Sequence, residues 1–131
     1  MDKVRGLVGV PFVSGGRDVV IGMDCWGLVM EIYMRYGVKL PDFTVDAFAF
    51  NAIDMLAGEE VTSRRWEEVY PPITEDQAPL VVLMRMHPTL VTHAGVYVGG
   101  NRIVHTTKAT GVILSRVDAL ESRIVGWYRP C

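Results

Sequence analysis

The chain has 131 residues, half of them hydrophobic and about a fifth charged, with a formal net charge of −2. That is the profile of one globular domain, residues 1–131, large enough for one core but not for two. It excludes a disordered polar chain and gives no electrostatic reason to expect nucleic acid or an anionic membrane as partner. No run approaches the roughly 18–20 apolar residues of a membrane span, so membrane insertion is not expected.

Residues 2–10 are expected to form a short helix with Val4, Leu7 and Val8 inward, ended by Pro11. "VSGGRD" (13–18) is a turn-rich loop. The stretch from Gly22 to Val38 then carries the strongest helical pattern in the chain. Asp24 is a natural N-cap, because its carboxylate can accept the free N–H groups of the first turn. Leu28, Val29, Ile32, Tyr33 and Tyr36 recur at helical spacing on the side of Cys25. Glu31 and Arg35 form an i,i+4 pair, and Gly37 supplies the stop. A thiol at a helix N-terminus lies in positive potential, which favours the nucleophilic thiolate.

A second helix is expected over 44–57, closed by Gly58. The polar, proline-rich stretch from Glu59 to Gln77 reads as a surface excursion pinned by Trp66, Val69 and Tyr70. From Leu80 onward the character changes. Residues 80–85, 91–98, 102–107, 111–116 and 123–129 are β-branched or aromatic runs separated by turn residues. Short connections imply antiparallel neighbours in a meander. Helices followed by a meander make an α+β arrangement, with one sheet face on the cysteine helix.

Two cysteines, Cys25 and the terminal Cys131, do not make a disulfide framework. No secretory signal is visible at the start of the sequence, so synthesis and folding in a reducing cytoplasm are expected. Two of the three histidines fall in adjacent expected strands. If Gly99, Gly100 and Asn101 form a three-residue loop, Val98 pairs with Arg102 and Gly95 with His105. His93 is then the diagonal neighbour of His105 on the same face. A two- or four-residue loop puts the rings on opposite faces. Positive-φ residues suit the three-residue hairpin, and Gly95 leaves room above the sheet.

A thiol at a helix head and two imidazoles on a sheet face beneath it match the logic of cysteine–histidine hydrolases. Cys25 is the candidate nucleophile, His93 the base and later the acid, and His105 the group that orients it. The Cys25 N–H is a candidate oxyanion donor. Other readings of the same residues stay open at this point. A lone cysteine is also a small core hydrophobe, and a strand histidine is often a satisfied core residue. Cys25 with two histidines lacks the close-spaced pair of a zinc site. His87, ahead of a proline, reads as a loop residue.

The order "GVPFVSGG", "GMDCWGLV" and "THAGVYVGGNRIVH" resembles the NlpC/P60 cysteine peptidases, a papain-like group that cuts the peptide stems of bacterial cell wall. The resemblance runs from about residue 6 to 115. It implies a papain-like α+β fold, with the nucleophile helix on an antiparallel sheet of about five strands. It also implies Cys25 as nucleophile, His93 as base and His105 as third residue, and bacterial peptidoglycan as substrate with no metal or cofactor. A γ-D-glutamyl-linked bond is the expected target. "DCWGLV", the glycine-glycine-arginine-aspartate loop and "LPDF" look closest to the branch carried by tailed phages and prophages. That implies other tail-tip proteins as partners and a virion tail as location, acting in the cell wall or periplasm.

This sequence also departs from the family pattern. Phe12 stands where a tyrosine hydroxyl commonly helps the oxyanion, at a cost of roughly one to three orders of magnitude in rate if nothing replaces it. Trp26 replaces a small residue beside the nucleophile, so the groove near Asp24, Trp26, Phe12 and Gly95 should be narrower or more aromatic. The Gly-Asp that commonly precedes the strand of the base is absent, "DQAPLVVLM" standing instead. No wall-binding module is visible in these residues, so targeting by a partner is expected. Beside the endopeptidase stand a structural tail-tip protein with weak or no activity, and an acyl transferase using the same three residues.

Overall fold

A computed structural model describes residues 2–42, 66–85 and 93–131. The expected helix over 44–57, His87 and the first two residues of the expected strand 91–98 lie outside them. The N-terminal segment is a short 3-10 turn, Asp2–Val4, followed by turns rather than a helix. Val4 and Leu7 are buried as expected, but Val8 is exposed and Val10 takes the inward place. Two short strands, β1 (Arg17–Asp18) and β2 (Gly22–Met23), form a hairpin that leads into helix α1, Cys25–Arg35.

Helix α1 forms where its pattern places it. Asp24 caps the N-terminus through Gly27, and Leu28, Val29, Ile32 and Tyr33 are fully buried. Each such side chain contributes roughly 1.5–3 kcal/mol of burial, so packing rather than propensity holds this short helix. Arg35 bonds Glu31 at 2.9 Å and also donates to the carbonyls of Lys3 and Arg5, fastening the N-terminal turn to the helix end.

The sheet has six strands among the described residues: β3 (Trp66–Val69), β4 (Leu80–Met84), β5 (His93–Tyr97), β6 (Arg102–Thr107), β7 (Gly111–Arg116) and β8 (Ile124–Pro130). Their order is β3-β8-β4-β5-β6-β7, every pair antiparallel. The architecture is thus α+β. The expected meander holds from β4 to β7 and then breaks. A short helix, α2 (Val117–Leu120), and a 3-10 turn carry the chain back, so β8 pairs with β4 instead of β7. The sixth strand is Trp66–Val69, part of the expected surface excursion. It pairs with β8, Val69 against Trp127, a partner far along the chain that local pattern does not reveal.

Strand alternation divides the core in two. Ala94, Val96, Val104 and Val112 face α1 with Leu28, Val29 and Ile32. Tyr97, Ile103, Leu80, Val82 and Trp127 form a second cluster on the other face. A cavity of about 540 Å³ opens on that second face among Val69, Tyr97, Val117 and Trp127.

Candidate active site

The loop over 99–101 decides the imidazole geometry. Gly99, Gly100 and Asn101 have φ of 88°, 60° and 61°, a conformation open to glycine and asparagine at little cost. The loop therefore spans three residues, with the Val98 N–H donating to the Arg102 carbonyl at 3.1 Å and Tyr97 paired with Ile103. That register sets His93 diagonally from His105, and His93 Nε2 lies 3.0 Å from His105 Nδ1. The rings meet edge to face at 75°, both buried.

Gly95 stands opposite His105, but the space over it is not open. A Cβ there would come within 2.8 Å of the Val104 carbonyl oxygen and 3.1 Å of His105 Cβ. The missing side chain lets β6 and the His105 ring close on β5 rather than making room for a ligand.

On the far side of His105, its Nε2 lies 2.7 Å from Ser115 Oγ. His105 is paired with Ile113, so Ser115 on β7 is its diagonal neighbour, as His93 is on β5. His93, His105 and Ser115 form a diagonal line across three strands. Ser115 is not legible as a site residue in the sequence. Its only local signal is a polar residue at one strand position in "GVILSR", and the β6–β7 register is needed to aim it at a histidine.

The thiol side is built from charge and loop. Asp24 Oδ1 accepts the Gly27 N–H at 2.8 Å and Arg17 Nη1 at 2.6 Å, and Oδ2 accepts the Gly15 N–H at 3.1 Å. Arg17 also donates to the Gly16 carbonyl and, through Nε, to Asp42 at 2.9 Å. Arg17, in the turn-rich loop, is the cation that holds the buried cap carboxylate. Phe12 is half-buried and bridged to Met23, two residues before Cys25. Trp26 donates its indole N–H to the Pro41 carbonyl at 2.8 Å and meets Trp66 edge to face at 6.1 Å. A fixed aromatic wall therefore flanks Cys25.

Cys25 is half-buried and, like Cys131, a free thiol. The backbone N–H groups of Ala94 and Trp26 both favour its thiolate. Ala94 follows His93, so the thiol meets β5 at the first step of the strand. Alternation puts Ala94 on the helix face and His93 with Gly95 on the other. The thiol therefore reaches β5 at the Ala94 N–H, one residue from His93 at the start of the strand.

The expected thiolate is also corrected. Burial first, and then the Asp24 carboxylate, push the Cys25 thiol up to about 11, outweighing the two N–H groups and Arg17. Burial, and then the neighbouring His105, push His93 down to about 3. His105 is lowered by burial as well. At neutral pH the resting site holds a protonated thiol and two neutral imidazoles. His93 is then an unprotonated base.

A half-buried thiol at a capped helix head, met by the strand of a bridged imidazole pair, defines a cysteine–histidine site on an α+β sheet. Residues 9–125 match the model of the NlpC/P60 family, and the chain belongs to that family. It is 27% identical over 132 residues to the gamma-DL-glutamyl hydrolase of Bacillus subtilis, covering 98% of this chain and 28% of that protein. It is 29% identical over 119 residues to the murein DD-endopeptidase MepS/murein LD-carboxypeptidase of Escherichia coli, covering 90% of this chain and 53% of that one. The chain thus spans about half or less of these relatives. The fold is shared with a Staphylococcus aureus protein similar to an NLP/P60-family lipoprotein. There the TM-score is 0.62 at 24% identity, over 99% of this chain and 39% of the other.

Proposed function

We propose that the chain is a cysteine endopeptidase acting on the peptide stems of bacterial peptidoglycan, at a γ-D-glutamyl-linked bond. The observation that carries this is the 3.0 Å bridge from His93 Nε2 to His105 Nδ1, in the strand whose next residue touches the thiol. His93 Nδ1 is the nitrogen that bridge leaves for the thiol proton. In the proposed reaction Cys25 Sγ attacks the stem carbonyl as His93 Nδ1 takes its proton. The amide C–N bond breaks, and His93 returns the proton to the leaving amine. Water, deprotonated by the same nitrogen, then releases the acyl group and restores the thiol. The open N–H of Cys25 at the helix head serves the oxyanion in place of a tyrosine hydroxyl. The names of the curated relatives, one a γ-glutamyl hydrolase and one a murein endopeptidase, support the substrate class.

The test is hydrolysis of purified cell wall and of a γ-D-glutamyl-diaminopimelate peptide. Cys25→Ala and His93→Ala should each lose at least about a thousandfold in kcat/KM, as expected for members of one catalytic unit. A Cys25→Ala protein that clears wall at the unaltered rate sinks the proposal.

The proposed setting is a phage or prophage tail tip, with other tail proteins as partners and the cell wall as the site of action. "DCWGLV", "GGRD" and "LPDF" support it. Mass spectrometry of purified particles from the source strain should find the chain, and particles lacking it would overturn the setting. Burial at Cys25 and the buried Asp24 carboxylate beside it, which push the thiol up to about 11, favour a second reading, a structural tail-tip protein with little activity. An intact wild-type protein that binds tail partners yet leaves the peptide uncut supports that reading.

A further inference from the structure

We propose that Ser115 is a positioning residue that fixes the proton direction along the imidazole pair. Its hydroxyl accepts from His105 Nε2–H, so that His105 Nδ1 accepts from His93 Nε2–H and His93 Nδ1 stays free for the thiol proton. The inference rests on the reading of Cys25 and His93 as nucleophile and base.

Each neutral imidazole carries one proton, so the two contacts allow only two consistent directions. In one, the protons lie on His93 Nε2 and His105 Nε2, and Ser115 Oγ is the acceptor. In the other, Ser115 donates to His105 Nε2, His105 Nδ1–H donates to His93 Nε2, and the His93 proton is forced onto Nδ1. The second direction leaves His93 with no lone pair for Cys25. Proton transfer selects between them. Once His93 takes the thiol proton, both of its nitrogens carry hydrogen and Nε2–H must donate to His105 Nδ1. The proton of His105 is then on Nε2, 2.7 Å from Ser115 Oγ, and needs an acceptor there. His105 is buried, at 3% exposure, and the half-buried Ser115 occupies the acceptor position at its Nε2. A serine oxygen accepts; an alanine methyl cannot. Burial also lowers the His105 pKa, which keeps that ring a neutral acceptor rather than a competing cation.

The diagonal geometry explains why a serine suffices. Ser115 pairs with Ile103, two residues before His105 on the same face, so a side chain of one Cβ and one oxygen spans the step. The contact becomes obligatory only when His93 is charged. Its loss should therefore appear in kcat and not in KM.

Imidazole ¹⁵N shifts of the protein, which need no substrate, test the direction. Wild type should populate the tautomer with His93 and His105 both protonated on Nε2, and its absence overturns the proposal. In Ser115→Ala that tautomer loses its acceptor, so its population should fall, and kcat should fall about tenfold, the worth of one hydrogen bond, with KM unchanged. Ser115→Thr, which keeps the hydroxyl, should restore the wild-type shifts and come within about twofold of its kcat. Unchanged tautomers in Ser115→Ala, or a loss that Thr does not rescue, overturns it. Tautomers that shift as stated in a protein that cuts no peptide uphold the positioning role and refute the peptidase.

Discussion

The two halves of the site are made of opposite materials. The helix head is held by charge: a buried Asp24, the Arg17 guanidinium across it and backbone N–H groups at its lone pairs. The imidazole line has no charge, and strand register places its members. Desolvation acts on both, yet it moves them apart, raising the thiol and lowering the imidazole. Desolvation always disfavours the charged form, which is anionic for one group and cationic for the other. The resting pair is therefore neutral. Nearby charge tunes the thiol side, and only register and tautomer tune the other.

The charged half should break hardest. Arg17→Met leaves the Asp24 carboxylate buried with only its two N–H donors. The expected loss is about 3 kcal/mol, the low end for stripping one partner from a buried pair. Thermal or urea unfolding reads this directly, and a loss below about 1 kcal/mol would place the pair in the weak class of exposed bridges.

The neutral half should announce itself through acid. Folded His93 takes a proton only near pH 3, whereas an unfolded histidine takes one near 6.5. Between those values the unfolded chain binds more protons, so stability is present above about 6.5 and is lost as pH falls toward 3. His105 acts in the same direction. Urea midpoints across that range should fall more steeply for wild type than for His93→Gln, and parallel curves would show that His93 is not desolvated. Gly95→Ala should cost less, about 1–3 kcal/mol, because the added Cβ must push the Val104 carbonyl and His105 aside. It should also lengthen the His93–His105 contact, so activity should fall further than stability alone accounts for.

The same contrast separates what the sequence reveals from what it hides. Helix α1 was legible because its cap, apolar stripe and ion pair are all local. The His93–His105 relation was legible because one short loop sets the register of the whole hairpin. Contacts closed over long separations were not. β3 is a short "WEEV" whose partner is the C-terminal strand, and β8 crosses back past three strands to reach β4. Ser115 needed a second register, and Arg17 needed the fold of the β1–β2 hairpin to turn it onto Asp24. The thiolate expectation failed for a related reason. The helix head is visible in sequence, but the burial and the adjacent carboxylate that oppose it are weighed only in three dimensions.

The smallest expected effect bears most directly on the thiol. In a Cys131→Ser background, alkylation by iodoacetamide reports Cys25 alone. A thiol at about 11 instead of 9 holds roughly a hundredth of the thiolate at pH 8. Its greater intrinsic nucleophilicity recovers about a factor of ten, so the net rate should be about tenfold below an ordinary cysteine. The rate should keep rising with pH toward 11 without an earlier plateau. Asp24→Asn keeps a capping side chain but removes the second cause of the shift, so it should bring that rise to lower pH. A rapid reaction with a plateau below pH 7 would mean that Cys25 and His93 rest as an ion pair. The contrast between a charge-tuned thiol and a register-tuned base would then collapse into one coupled unit.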